Sequence, residues 1–66
     1  MYSISENHYR ATGKLNNDGT IKITITDMLN YTDEVTLVKH HSKKYTYSDL
    51  EIQTLRVLGR KPTASN

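Results

Sequence analysis

The segment Ile21-Lys22-Ile23-Thr24-Ile25-Thr26 alternates without a break, with three isoleucines on one parity and Lys, Thr and Thr on the other. A period of two marks a strand with one face on a core and the other in water. Upstream, Tyr9, Ala11, Gly13 and Leu15 alternate with Arg10, Thr12 and Lys14. Between the runs lies Asn16-Asn17-Asp18-Gly19-Thr20, a cluster of turn formers that predicts a β-hairpin.

The faces decide the loop length. A two-residue Asp18-Gly19 turn sets Leu15 opposite Lys22 and throws the apolar sets onto opposite faces. A three-residue loop, Asn17-Asp18-Gly19 with Gly19 left-handed, pairs Leu15 with Ile21, Gly13 with Ile23 and Ala11 with Ile25. Small residues then sit beside large ones, and the gap over Ala11 and Gly13 predicts the seat of a helix. The same register sets Lys14 opposite Lys22 on the outer face near Arg10. There the amines either splay into water or hold an anion.

Further along, Met28-Leu29-Asn30-Tyr31 reads as a connection with apolar anchors. The β-branched run Glu34–His40 reads as a strand partly covered on both faces. His41-Ser42-Lys43 turns, and Lys44-Tyr45-Thr46-Tyr47 reads as a short fourth strand. Ser48-Asp49-Leu50-Glu51 matches a capping box, Tyr47 and Ile52 stand at staple positions, and Gly59 and Pro62 stand where a helix stops. These signals predict a helix from Asp49 to Leu58. The fold class is therefore α+β: an antiparallel sheet of three to four strands, in the order ββββα, with one C-terminal helix packed on one face. Residues 1–59 form one domain and 60–66 a flexible tail.

At 66 residues, with no Cys, Trp or Phe, the chain has no disulfide to staple it and only a thin core. A homodimer is one way to complete that core. No apolar run suits a membrane span, and Met1–Glu6 lacks the basic and apolar regions of a signal peptide, so the expected location is cytoplasmic.

The chemistry of enzymes is missing from the pattern. There is no Cys nucleophile and no Gly-rich phosphate loop, and the acidic residues fall in turns and at a helix start. Gly19 at the sixth position of a calcium loop would make Lys14 and Ile25 ligands, which excludes an EF-hand. His40 and His41, as neighbours on a strand, point to opposite faces. No catalytic residue, metal site or cofactor is expected.

Charge is uneven. Residues 1–38 hold three cations (Arg10, Lys14, Lys22) against five acids, whereas residues 39–66 hold six cations against Asp49 and Glu51. The stretch Lys39-His40-His41-Ser42-Lys43-Lys44-Tyr45-Thr46-Tyr47 reads as a basic hairpin tip followed by aromatics. Two functions fit. In the first, the chain is a non-enzymatic accessory or inhibitor protein that docks onto a partner protein, of the kind phages and mobile elements carry, by analogy of size alone. Its contacts would be Lys39, His40, His41, Lys43, Lys44 and Tyr45, with Arg10, Lys14 and Lys22 on the outer face and Tyr2, Tyr9 and Tyr31 as further candidates. In the second, the same tip and outer face bind nucleic acid, with Lys on phosphates and Tyr stacked on bases. The low net charge of +2 favours the first.

Overall fold

The computed structural model describes residues 1–38 and 44–60. Four antiparallel strands form one sheet in chain order: β1 (Tyr2–Glu6), β2 (Tyr9–Leu15), β3 (Ile21–Asp27) and β4 (Thr32–Leu37). One helix, α1 (Tyr47–Arg60), follows and packs on the sheet. The fold class read from the sequence is the one observed.

The β2–β3 hairpin has the register that the faces demand: Leu15 pairs with Ile21, Gly13 with Ile23, Ala11 with Ile25 and Lys14 with Lys22. Its turn closes through Asn16 N–H donating to Thr20 O at 2.8 Å, and Gly19 takes the left-handed conformation at φ 86°. The isoleucine face is the core: Ala11, Ile21, Ile23, Ile25, Leu50 and Leu58 are buried together.

The helix seats over the gap beside Gly13. A Cβ placed there would collide with Thr54 Oγ1 and lie 2.8 Å from Leu50 Cδ1, so only glycine lets α1 come this close. The row that enters is Leu50, Thr54 and Leu58, spaced four apart on one helix face. Thr54 is fully buried, and its hydroxyl donates to Leu50 O at 2.7 Å, which leaves no polar atom stranded.

Several elements differ from the sequence reading. The four strands are not the four expected. β1 was not read as a strand, yet Tyr2-Ser3-Ile4-Ser5-Glu6 pairs with β2 from Tyr2↔Gly13 to Glu6↔Tyr9 and lays Tyr2 and Ile4 against the core. Residues 44–46 are not a strand, and Tyr47 is already helical. β4 starts earlier than read and is covered on one face only: Val35 and Leu37 are half-buried, while Glu34 and Thr36 are exposed. The end of the expected strand, Lys39 and His40, lies outside the described residues, as do the tip residues through Lys43 and the tail from Lys61.

The helix begins two residues before the expected start. Thr46 is the N-cap: Asp49 N–H donates to Thr46 Oγ1 at 3.3 Å, and Thr46 N–H donates to Asp49 Oδ2 at 2.8 Å. The reciprocal pair is thus Thr46 and Asp49 rather than Ser48 and Glu51, both of which are exposed. Tyr45 packs against the core in front of the cap, whereas Tyr47 and Ile52, read as the staple, are exposed. The earlier cap adds Tyr47 and Ser48 to the first turn, ahead of the buried row that starts at Leu50. Gly59 continues the helix instead of ending it, and Gly19 is the one described glycine with positive φ.

A single helix about 10 Å wide cannot roof four strands spaced about 4.8 Å apart. It packs on β1, β2 and β3, and no Cα of β4 comes within 8 Å of a helix Cα. Among the described residues, the inner face of β4 is therefore left uncovered along one flank.

Candidate functional site

The antiparallel meander sends the β1–β2 and β3–β4 turns to the same end of the sheet. The first is a two-residue turn, Asn7-His8, with Asn7 at φ 52°. The second is built by Asp27. Its carboxylate Oδ1 accepts from Leu29 N–H at 2.9 Å and from Tyr31 N–H at 3.0 Å. The backbone adds Asp27 N–H to Tyr31 O and Asn30 N–H to Asp27 O, both at 3.1 Å, and Asn30 is left-handed at φ 66°. Asp and Asn are the residues that make such a loop locally self-sufficient.

Because the polar groups of this loop satisfy one another, its apolar side chains are free to face outward, and they do. Met28 is 71% exposed, Leu29 76% and Tyr31 72%. The sequence reads them as anchors of the connection, but among the described residues the three side chains stay mostly exposed at the sheet end. His8 Nδ1 lies 2.9 Å from Met28 Sδ and ties the two turns into one surface. Between them His8, Tyr9, Asp27, Met28 and Leu29 line a shallow, mostly apolar recess. The signal for this patch was present in the sequence: apolar residues set between turn formers Asp27 and Asn30, in a loop too short to bury them.

The residues singled out from the sequence fall elsewhere. Arg10, Lys14 and Lys22 stand exposed on the outer sheet face, with Lys14 directly opposite Lys22. Lys22 is not idle: its Nζ lies 3.3 Å from Glu34 Oε2 across the β3–β4 pair. Such exposed pairs add at most about 1 kcal/mol, but this one lowers the local positive field. Lys44 is exposed, and its stem lies over Gly19, where an added Cβ would meet Lys44 Cγ at 2.8 Å. Tyr45 N–H donates to Gly19 O at 3.3 Å, and its half-buried ring packs on the core, so the ring is committed to the fold. Tyr2 and Tyr9 are likewise half-buried on the core, which leaves Tyr31 as the most exposed of the three tyrosine candidates. Lys39, His40, His41 and Lys43 lie outside the described residues.

Among the described residues, no group of three or more His, Asp or Glu side chains is placed to hold a metal ion, and no helix is long and apolar enough to cross a membrane. Comparison of the chain with protein-family models, curated proteins and solved structures returns no match.

Proposed function

We propose that this chain is a small non-enzymatic binding protein that docks onto a partner protein through the turn end of its sheet. The observation that supports this reading is the exposure of Met28, Leu29 and Tyr31 on a loop held by the Asp27 carboxylate. A single exposed apolar residue is ordinary, but three in one short loop form a patch of the kind that marks an interface. Fixing the loop in advance reduces the ordering cost of association, and one Tyr beside Met and Leu suits an apolar socket on the partner. The accessory or inhibitor role follows as the simplest use of a chain that binds and does no chemistry.

The test is a nuclease-treated pull-down with the wild-type chain beside Leu29→Ser/Tyr31→Ser. The proposal expects a partner retained by the wild type and lost by the variant, with unchanged circular dichroism. Equal retention by both would remove the turn end from the interface.

A second reading, nucleic-acid binding, draws on Arg10, Lys14 and Lys22 sharing one outer face with Ser and Thr neighbours. It predicts a mobility shift that weakens steeply with salt and is lost in Lys14→Glu/Lys22→Glu.

A further inference from the structure

β4 is an edge strand, and its backbone has no partner on its outer side among the described residues. Which groups are free follows from the turns. Asp27 N–H donates to Tyr31 O, and hydrogen-bonded pairs alternate along an antiparallel ladder. With Ile23↔Val35 and Ile21↔Leu37 in register, residues 33, 35 and 37 bond to β3, and Thr32, Glu34 and Thr36 turn their N–H and C=O groups outward. Natural edges are usually blunted by charges, Pro or a bulge. β4, Thr-Asp-Glu-Val-Thr-Leu, has no Pro, its register with β3 runs unbroken from Ile21↔Leu37 to Thr26↔Thr32, and its two charges, Asp33 and Glu34, are confined to its first half. The other edge, β1, lies under the helix, whereas β4 does not. Beside this backbone runs an inner flank that no other described residue covers, a groove lined by Ile25, Val35, Leu37 and Val57 with Asp33 and Arg60.

We infer that a second copy of this chain occupies that edge, with β4 pairing antiparallel to its own symmetry mate and the two apolar flanks joining into one. The charge pattern of the strand selects this occupant and its register. Asp33 and Glu34 sit in the first half, and Val35, Thr36 and Leu37 are uncharged. A parallel copy would stack acid on acid. An antiparallel copy sets each acidic half opposite a neutral half, which is the self-complementarity a two-fold interface requires. Outward-pointing residues must pair with outward-pointing residues, so the candidate registers set Glu34 opposite Thr32, Glu34, Thr36 or residue 38. The first two oppose like charges, at Asp33 or at Glu34, and the last uses less of the strand. The register Glu34 opposite Thr36 keeps residues 33–37 of both copies paired and puts Val35 on the two-fold axis. Met28 and Leu29 remain outside the paired segment, so the turn end stays free for another partner.

The chain has no cysteine, which allows a direct test. Val35→Cys sets two thiols across the axis within reach of a disulfide, whereas Thr12→Cys, on the outer face of an inner strand, does not. Under mild oxidation Val35→Cys is expected to become a covalent dimer at least about tenfold faster than Thr12→Cys. Sedimentation of the wild type is expected to show its mass rising from 7.6 kDa towards twice that with concentration. Thr36→Pro removes an outward N–H without touching the β3 ladder and is expected to weaken self-association by about tenfold or more. Equal cross-linking of the two cysteine variants, a wild type that stays monomeric to about 1 mM, or self-association indifferent to Thr36→Pro would each overturn the inference.

Discussion

The two turns that flank β3 are built by the same device and put to opposite uses. In each, an aspartate carboxylate accepts from the loop that follows it: Asp18 from Thr20 N–H and Oγ1, Asp27 from the N–H groups of Leu29 and Tyr31. Each also holds one left-handed residue, Gly19 or Asn30. Yet the first turn is roofed by the chain that enters the helix, through the Lys44 stem and the Tyr45 N–H bond, so that Gly19 is buried. The second turn is covered by none of the described residues and carries Met28, Leu29 and Tyr31 exposed. The lesson is that a locally satisfied turn is neutral about its side chains. Whatever packs over it decides whether it serves the core or meets another molecule.

That contrast can be broken most forcefully at Gly19. Gly19→Val forces a β-branched residue to φ 86° and into the Lys44 stem, and is expected to cost about 3 kcal/mol in urea unfolding. Asn30→Gly, at the matching left-handed position of the open turn, should change stability by less than about 0.5 kcal/mol. If both substitutions proved equally harmless, the roof over the first turn would not be contributing.

Asp27→Ala comes next, with an expected loss of about 1–2 kcal/mol because two backbone donors lose a charged acceptor. It should also weaken partner capture, since the loop is no longer held. Asp18→Ala is expected to lower stability by about 1 kcal/mol and leave capture intact. A smaller difference tests the roof itself. Thr46→Ala should lose about 1 kcal/mol with the N-cap, while Ser48→Ala, outside the cap, should stay within about 0.3 kcal/mol. The smallest stability effect belongs to the open turn: Leu29→Ser/Tyr31→Ser is expected to shift unfolding by no more than about 0.5 kcal/mol while removing partner capture. A large destabilisation there would mean that these side chains serve the fold after all.

The hairpin was legible because its information is local. Alternation names the buried face, and the three-residue loop is the one that brings the two buried faces together, so Leu15↔Ile21 and the Lys14–Lys22 opposition follow from residues 9–26 alone. The helix was legible as an element but not in its frame. Two overlapping cap signals, Thr46/Asp49 and Ser48/Glu51, are locally near-equivalent, and it is Thr46 and Asp49 that pair in the structure. β1 carries the same alternation, Tyr2 and Ile4 against Ser3 and Ser5, but over too few residues to stand out until β2 offers them an edge. The exposed patch was missed because apolar residues are ordinarily assigned to a core.

By itself, then, the sequence determined the α+β class, the β2–β3 register, the helix seat over Ala11 and Gly13, and the placing of Arg10, Lys14 and Lys22 on one outer face. The register and the outer face follow from near neighbours in the chain, where side-chain periodicity is enough, and the helix seat follows because small residues beside large ones leave a gap that the same periodicity locates. Only the tertiary structure decided that Tyr45 belongs to the core, that Met28, Leu29 and Tyr31 face solvent, and that β4 lies beyond the reach of the helix. Those outcomes depend on how much surface one helix can cover. That is a property of the assembled layers and is written in no single segment.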